Sequence, residues 1–290
     1  MPQTAHVVFN PASGSYAKSR VDRILNGLRA AGFSTEVVLP DSETAAIDAV
    51  RGLCNPARPP LIIAVGGDGT INSVINGMTP QGATLGVIPL GTANVLAWEL
   101  GIRSIDAALQ RIARGRQRLF SVGEATSANR TRRFLLMAGI GLDAAAVAGV
   151  RPEEKARLGK LAYLLSGLRQ LRDWDRGLLT VSDGQRSIDC HSAIITNACH
   201  YGGPYRLAPG AEIFAPQLAV LPFQFPTRRS FFRAALPLVL AGHPPVEPAW
   251  QMSSGQLTIS GIKAVQLDGD SFGNGPLTIR LLADFNRLLC

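Results

Sequence analysis

Apolar and polar positions alternate regularly along the first third of the chain. Short apolar runs predict four strands, at 5–9, 34–39, 61–65 and 84–90. Between these runs, apolar residues recur at the i, i+3, i+4 and i+7 positions that form one face of a helix. Continuous apolar strands separated by amphipathic helices are typical of a parallel sheet with helices on both faces. We therefore expect a doubly wound α/β domain.

The same pattern predicts four helices in this region, over 18–32, 41–53, 71–78 and 93–101. Gly32 and Gly101 are typical of residues that end a helix, and Asp41 or Ser42 would cap the second one.

The pattern changes near residue 120. Shorter strand-like runs follow, separated by glycine, aspartate and proline, and they predict a mainly antiparallel β domain. One helical stretch at 153–172 interrupts them, with an apolar stripe formed by Leu158, Leu161, Leu165 and Leu168. We therefore expect a first domain over 1–122 and a second over 123–279. Whether the C-terminal segment of about 280–290 joins the first domain stays open.

Composition narrows the function classes only a little. The chain of 290 residues has 29 Lys and Arg against 21 Asp and Glu, a formal net charge of +8. A basic surface suits nucleic acid, an anionic membrane or an anionic substrate, although arginine-rich usage can also reflect genomic base composition. No helix-turn-helix, zinc-finger or RNP signature is present, so we expect no nucleic-acid partner.

The chain gives no sign of secretion or of a membrane span. Its longest apolar run, 231–242, contains Arg233 and Pro237 and is shorter than the ~18–20 residues that a span needs. The N-terminus has no basic region before its first apolar run, and the four cysteines form no disulfide framework. We expect a cytoplasmic protein that contacts membrane only at its surface.

Three strand-to-helix turns carry the candidate chemistry: NPASG at 10–14, GGDGT at 66–70 and PLGTAN at 89–94. In a doubly wound sheet such turns lie at the carboxyl ends of the strands, where ligands bind. Glycine allows the backbone to approach a ligand, and successive N–H groups before a helix bind anions. Thr70 and Thr92 add hydroxyl donors. The turns therefore predict a phosphate site, although they match neither G-x-G-x-x-G nor a Walker A loop.

Asp68 is unusual because a carboxylate repels phosphate unless it holds a cation or accepts a proton. Both roles occur in phosphoryl transfer. The alternative is that Asp68 caps the helix that follows it. The two roles are compatible.

These three turns, in this order and spacing, resemble the diacylglycerol kinase catalytic-domain family. The family includes soluble bacterial lipid kinases, ceramide and sphingosine kinases and, more distantly, NAD kinases. The resemblance continues through four later segments and so covers nearly the whole chain: 138–147, 158–171, 197–213 and 265–270.

The resemblance implies a two-domain kinase that uses ATP and Mg²⁺. An α/β domain would bind the nucleotide, and a β-sandwich domain with a helical insert would contribute to a cleft where a lipid hydroxyl meets the γ-phosphate. Asp68 would organise Mg²⁺ and phosphate or assist deprotonation, and Asp270 would be the general base. The implied nucleotide-binding residues are Asn10, Gly66, Gly67, Asp68, Gly69, Thr70, Asn72 and Thr92.

Several positions depart from the family pattern. Asp270 replaces the usual glutamate, which shortens the reach of the base, so Asp268 could share its role. Val95 and Pro40 replace an acidic residue and a threonine. Ala215 and Ala219 stand where many bacterial members have two aspartates that hold a structural Mg²⁺. Because alanine cannot bind a hard cation, we predict that this chain lacks that site.

Two further features have open interpretations. Asp143 lies at a glycine-rich strand end, where it could face the cleft or occupy a turn or the surface. The helix at 153–172 either packs as an ordinary amphipathic helix or turns a basic edge toward anionic headgroups, together with Arg228, Arg229 and Arg233.

The sequence therefore predicts an ATP-dependent kinase that phosphorylates a diacylglycerol-like or sphingoid lipid, in contact with an anionic membrane. The alternatives are a soluble-substrate kinase related to NAD kinase and a non-catalytic nucleotide- or lipid-binding protein. A homodimer is left open.

Overall fold

A computed structural model describes residues 2–11, 17–128, 130–151, 153–154, 161–170, 175–241 and 248–290. The chain divides into two units. The first comprises Met1–Ser121 together with Ala283–Cys290, and the second comprises Val122–Leu282. The last residues of the chain thus belong to the same unit as the first ones.

The first unit is an α/β domain. Its helices are α1 (Lys18–Ala30), α2 (Glu43–Leu53), α3 (Asp68–Gly77), α4 (Val95–Glu99) and α5 (Ile105–Arg114). Its parallel strands are β1 (Thr4–Phe9), β2 (Ser34–Val38), β3 (Leu61–Gly66) and β4 (Thr84–Pro89). They lie in the order β2-β1-β3-β4, and all three neighbouring pairs are parallel. The predicted parallel sheet is confirmed.

The apolar pattern explains why these strands lie inside. Every residue of β3 is buried, as expected for a strand with helices on both faces. The Ser42 side chain accepts a hydrogen bond from the Ala45 N–H and caps α2, so Ser42 rather than Asp41 is the cap. Gly32 follows α1 with a positive φ of 89°, as predicted for a residue that ends a helix.

Helix α5 was not predicted. Ser104 accepts a hydrogen bond from the Ala107 N–H at 3.1 Å, and Gly115 ends the helix with a φ of 66°. Ala108 and Ile112, four residues apart, form its buried face. The cap, the spacing and the glycine were all visible in the sequence.

The second unit is mainly β. Two short helices, α6 (Leu142–Ala148) and α7 (Leu161–Gln170), and a longer one, α8 (Arg228–Ala241), accompany the strands. The strands are β5 (Gln117–Ser127), β6 (Arg130–Phe134), β7 (Met137–Ile140), β8 (Leu179–Ser182), β9 (Ser187–Cys190), β10 (Ser192–Thr196), β11 (His200–Tyr201), β12 (Tyr205–Arg206), β13 (Leu218–Phe223), β14 (Trp250–Met252), β15 (Gln256–Ser260), β16 (Ala264–Leu267), β17 (Asp270–Asn274) and β18 (Leu277–Leu289).

Two antiparallel layers enclose the core of the second unit. One is a six-stranded sheet in the order β14-β13-β10-β7-β16-β17, and the other contains the run β18-β15-β8-β9. Apolar side chains from both layers form one buried cluster, which includes Ile195 and Val220 from the first layer and Val181, Ile259 and Ile279 from the second. The predicted antiparallel β-sandwich is confirmed.

Strand β18 belongs to both units. Its first half, around Leu277–Arg280, pairs with β15 in the second unit. Arg287 and Leu288 pair in parallel with β4 in the first unit. Asn286 strengthens this attachment, since its side chain accepts from the Ala83 N–H at 3.1 Å and donates to the Thr79 carbonyl at 2.9 Å.

Only part of the predicted helix at 153–172 lies within the described residues, which here are 153–154 and 161–170. The face that α7 buries includes Ala162 and Ser166, and Leu165 of the predicted apolar stripe is 41% exposed. Arg169 binds the Glu154 carboxylate with both terminal nitrogens, at 2.6 and 2.7 Å, so it is part of an ion pair rather than of a basic edge. Leu158 of the predicted stripe lies outside the described residues. No helix in the described part of the chain is long and apolar enough to cross a membrane.

Candidate active site

The three predicted turns follow three neighbouring strands. β1 pairs with β3 and β3 with β4, and in register Phe9 lies opposite Val65 and Gly66 opposite Pro89. The turns therefore begin at the same edge of the sheet, as predicted. Asn10 is exposed there, whereas residues 12–16, which include most of the first turn, lie outside the described residues.

The GGDGT and PLGTAN turns are in direct backbone contact. A Cβ atom on Gly91 would lie 2.4 Å from the Gly67 Cα, and one on Gly67 would lie 3.1 Å from the Gly91 Cα. A Cβ on Gly66 would approach the Thr70 hydroxyl to 2.3 Å. Glycine is therefore required here because two stretches of chain approach closely, and Gly67 itself has an ordinary φ of −90°.

Asp68 connects the same two turns through its side chain. It is the first residue of α3, and its two carboxylate oxygens accept hydrogen bonds from the Val95 N–H at 3.1 Å and the Leu96 N–H at 3.3 Å. Asp68 thus caps the start of α4, and α3 has no side-chain cap of its own. The alternative prediction, that Asp68 caps the helix following it, was wrong about which helix.

Asn94 completes the connection. It has a left-handed backbone with φ 47°, and its side chain both accepts from the Gly91 N–H at 2.8 Å and donates to the Gly91 carbonyl at 2.7 Å. These bonds fix the path of the PLGTAN turn just before α4 begins. Together with the Asp68 bonds, they hold the two turns in one arrangement.

The predicted nucleotide-binding residues divide by exposure. Asn10, Gly69 and Thr92 are exposed at the edge of the sheet. Thr70 and Asn72 are buried, at 8% and 1% exposure, and the Asn72 side chain accepts a hydrogen bond from the Asn76 amide at 3.0 Å. The exposed residues can meet a ligand directly, whereas the buried ones support the turn.

The second acidic cluster lies in the other unit, on the turn between β16 and β17. Asp268 and Gly269 both have positive φ, 51° and 89°, the backbone of a tight Asp-Gly hairpin turn. The Asp268 carboxylate accepts three backbone N–H bonds, at 2.7–2.9 Å, from Leu135, Leu136 and Met137. Asp268 is therefore a structural anchor for the turn, which argues against a shared role as base.

Asp270 is the more accessible acid of this turn. Its side chain is 44% exposed, and one oxygen lies 3.3 Å from the Arg132 guanidinium, which is only 11% exposed. Arg132 was not predicted as a site residue. Strand β6 contains several arginines, so the sequence alone does not show which of them contacts Asp270.

A partly buried polar network supports the turn. The Tyr201 hydroxyl and the Gln266 amide both donate to the Asp143 carboxylate, the latter at 2.7 Å. The Gln266 carbonyl oxygen in turn accepts from the Gly269 N–H at 2.7 Å. Burial raises the pKa of Asp143 above its usual value, despite the two hydrogen bonds, and raises that of Tyr201 well above its usual value.

Asp143 is half-buried in the first turn of α6, and its carboxylate is bonded to Tyr201 and Gln266 rather than left to solvent alone. Tyr201 and Gln266 were not predicted at all. Gln266 stands between Val265 and Leu267 in a strand-like run, and this polar residue in an apolar setting was the signal available in the sequence. The structure buries all three residues.

The segment at 215–219 does not fit a hard cation. Neither Ala215 nor Ala219 carries a side-chain oxygen, and Ala219 lies in β13 at 2% exposure. A divalent cation such as Mg²⁺ requires oxygen ligands. The lack of the family's structural Mg²⁺ site stays a prediction.

The chain thus combines an α/β unit, with glycine turns at its strand ends, and an antiparallel sandwich. Comparisons with known proteins agree. Residues 4–125 match the diacylglycerol kinase catalytic domain, and residues 137–290 match the YegS C-terminal NAD kinase beta sandwich-like domain. The chain belongs to the diacylglycerol kinase catalytic-domain family.

Named relatives support this membership. The chain is 33% identical over 220 residues to a diacylglycerol kinase of Bacillus subtilis (strain 168), covering 72% of this chain and 70% of that protein. It spans about half the length of several other curated relatives that it matches.

Two solved structures show the same fold. A diacylglycerol kinase from Bacillus anthracis superposes with a TM-score of 0.77 at 22% identity, covering 99% of this chain and 96% of that one. An NAD kinase from Archaeoglobus fulgidus in complex with ATP gives a TM-score of 0.53 at 15% identity, covering 99% and 94%. The predicted fold class is thereby confirmed.

Proposed function

We propose that this protein is an ATP-dependent kinase that transfers the γ-phosphate to a hydroxyl group of a diacylglycerol-like or sphingoid lipid. The observation that carries the proposal is the backbone contact between Gly67 and Gly91, which Asp68 reinforces. The two glycine turns are held together at the edge of a parallel sheet, and the N–H groups at the start of α3 would bind phosphate there. Those of Val95 and Leu96 at the start of α4 already bond to Asp68.

In the proposed reaction, catalysis depends mainly on positioning and on neutralising charge. The exposed Asn10, Gly69 and Thr92 would contact the phosphates of ATP. Mg²⁺ would supply positive charge at the transferred group, and Asp68 is the carboxylate of the two turns that would contact it.

Asp270 is proposed as the general base. Its half-exposed carboxylate would take the proton of the lipid hydroxyl as the hydroxyl oxygen forms its bond to the γ-phosphorus and ADP leaves. Arg132 would hold Asp270 in one orientation. Because aspartate reaches less far than glutamate, this fixed position matters more here than it would for the longer side chain.

Two alternative functions remain open. A soluble-substrate kinase related to NAD kinase shares this architecture. A non-catalytic nucleotide- or lipid-binding protein is favoured by one specific observation: both candidate acids already have partners, Asp68 at the start of α4 and Asp270 at Arg132.

One assay separates the three. Purified full-length protein is incubated with radiolabelled ATP and Mg²⁺ in mixed micelles that contain a panel of diacylglycerols and sphingoid bases, and in parallel with NAD. We expect the label in the organic phase, in a phosphorylated lipid. Label in NADP alone would establish the soluble-substrate kinase, and ATP binding by calorimetry without any transfer would establish the binding protein.

Asp68→Asn is the matched test of the site. We expect it to abolish transfer, because the neutral amide binds a divalent cation much more weakly than a carboxylate does. One amide oxygen still accepts a bond from α4 and maintains the fold. Asp41→Asn, at an exposed position of the same unit, is the control and should transfer phosphate normally. Normal turnover of Asp68→Asn would remove Asp68 from the mechanism.

A further inference from the structure

Helix α8 is fastened to the sandwich by a row of aromatic rings. Phe223, at the end of β13, stacks on Phe225 with ring centroids 5.4 Å apart, and Phe225 meets the Phe231 ring edge-on at 5.5 Å. Thr227 and Ser230 cap the start of the helix: the Ser230 hydroxyl accepts from the Thr227 N–H, and the Thr227 hydroxyl accepts from the Ser230 N–H, both at 3.2 Å. The first turns of α8 therefore have a defined orientation, with Phe231 facing inward.

The side of α8 next to Phe231 exposes apolar groups, although the Phe232 ring also meets the Phe231 ring with centroids 5.7 Å apart. Phe232 is 50% exposed and Leu236 is 57% exposed, and their spacing of four residues places them on one side of the helix. Single exposed apolar residues are ordinary, but two adjoining ones on a helix form a strip that water solvates poorly.

Arginines flank this strip on both sides. At about 100° per residue, Phe232 and Leu236 lie about 40° apart, with Arg228 to one side and Arg229 and Arg233 to the other. All three arginines are exposed. We call the surface formed by Arg228, Arg229, Phe232, Arg233 and Leu236 the α8 face.

The charged residues of the segment that contains α8 have a single sign. The sequence contains no aspartate or glutamate between Glu212 and Glu247. A helix with a central apolar strip and arginines at both margins is the pattern of helices that lie in a membrane interface. The arginines meet anionic headgroups while the apolar side chains enter the acyl boundary.

We propose that the α8 face docks this protein on an anionic lipid bilayer. The choice of a bilayer rests on the proposed function, because a kinase whose acceptor is a membrane lipid must reach that lipid at the membrane surface. The charge of the face and its central apolar strip complement such a surface independently of the catalytic residues.

The expected loss of vesicle binding follows from the number of side chains in the α8 face. Each arginine near an anionic surface strengthens binding by about fivefold, so replacing all three with glutamine should weaken it by about 100-fold. Replacing Phe232 and Leu236 with alanine should weaken binding by about tenfold, since both side chains are only half available for insertion.

The test is co-sedimentation of the full-length protein with vesicles of phosphatidylcholine, prepared with and without phosphatidylglycerol. We expect binding only with phosphatidylglycerol, weakened by added salt. The triple variant Arg228→Gln, Arg229→Gln, Arg233→Gln should lose it. Its control, Arg58→Gln, Arg114→Gln, Arg116→Gln, replaces exposed arginines of the first unit and lowers the net charge equally.

Insertion is tested separately. Phe232→Ala with Leu236→Ala should weaken binding, whereas the control pair Leu178→Ala and Ile262→Ala, at positions 54% and 84% exposed, should not. Phe232→Trp should shift its fluorescence to the blue on phosphatidylglycerol vesicles, a readout that needs no loss of binding. Equal binding by the wild type and the α8 variants, or an unshifted tryptophan, would overturn the proposal.

Other occupants give other results. Concentration-dependent dimerisation in the ultracentrifuge that the α8 variants abolish, without vesicle binding, would assign the face to a second copy and overturn the bilayer. Binding of nucleic acid in place of vesicles would do the same. If the protein phosphorylates lipid in micelles but does not bind vesicles, only this inference fails. If it binds vesicles through the α8 face but phosphorylates no lipid, only the proposed function fails.

Discussion

Replacing Gly91 with alanine perturbs the contact on which the proposed nucleotide site depends. The new Cβ would lie 2.4 Å from the Gly67 Cα and 2.8 Å from the Asn94 side-chain oxygen. Because an ordinary carbon–carbon contact is about 3.5 Å, the two turns must separate by about 1 Å. Neither the Gly67 backbone nor the Asn94 side chain, which is bonded to Gly91, can move away at a lower cost in free energy.

A displacement of that size has two measurable consequences. Forcing a methyl group into a packed site costs about 1–3 kcal/mol of the free energy of unfolding, which urea titration would report. Moving groups that position a reacting phosphate by about 1 Å lowers the rate about 100-fold. We therefore expect Gly91→Ala to fold, to bind ATP more weakly in calorimetry and to lose most of its turnover.

Two other glycines provide the comparison. A Cβ on Gly67 would lie 3.1 Å from the Gly91 Cα, so Gly67→Ala should have a smaller effect of the same kind. Gly52, in α2, has nothing within 4 Å of the position of a Cβ, and Gly52→Ala should stabilise the protein by about 0.5–1 kcal/mol without changing ATP affinity. If Gly91→Ala matched the wild type in ATP affinity and turnover, the contact would not shape the site and the reasoning would fail.

The acids of the second unit give three further predictions. Asp270→Asn should abolish lipid phosphorylation and change the free energy of unfolding by less than about 1 kcal/mol, since a half-exposed ion pair contributes little. Asp270→Glu should equal or exceed the wild type in turnover. An active Asp270→Asn variant would exclude Asp270 as the base. Asp268→Ala should lower the free energy of unfolding by about 3–5 kcal/mol in urea titration, because three buried N–H groups lose their acceptor. A loss below about 1 kcal/mol would contradict the role of Asp268 as a structural anchor. Burial raises the pKa of Asp143, so the folded state holds that proton more tightly than the unfolded state does. As the pH rises from the ordinary carboxyl pKa of 3.8 through the raised pKa, the wild type should therefore lose stability relative to Asp143→Asn. Parallel pH profiles of the two proteins would refute this.

The sequence predicted the elements that depend on local patterns. The buried strands β3 and β4 follow from continuous apolar runs, and Ser42 and Gly32 follow from helix-end chemistry. The placement of the glycine turns at one edge follows from the rule that parallel strands share a direction. Helix α5 obeys the same local rules and was missed although its signals were present.

The partners of the acids could not be predicted in this way. Asp268 bonds to backbone groups more than 130 residues earlier, at 135–137, and Asp143 reaches Gln266 across a similar separation. Neither the spacing nor the type of these residues specifies such pairs, because strand neighbours are set by the whole sheet. Likewise, Asp68 was a plausible cap from its type alone, but only the contact between the two turns selects α4 over α3.

The course of β18 has a consequence for how the molecule is made. The residues that pair with β4 and bond to Thr79 and Ala83 are translated only after the whole of Val122–Leu282 has emerged. Until then, the β4 edge of the nascent first unit lacks its neighbour, and unpaired strand edges favour aggregation. A fragment ending at Ser121 would keep that exposed edge permanently, whereas the same fragment with 283–290 fused behind it by a short linker would carry its own closing strand.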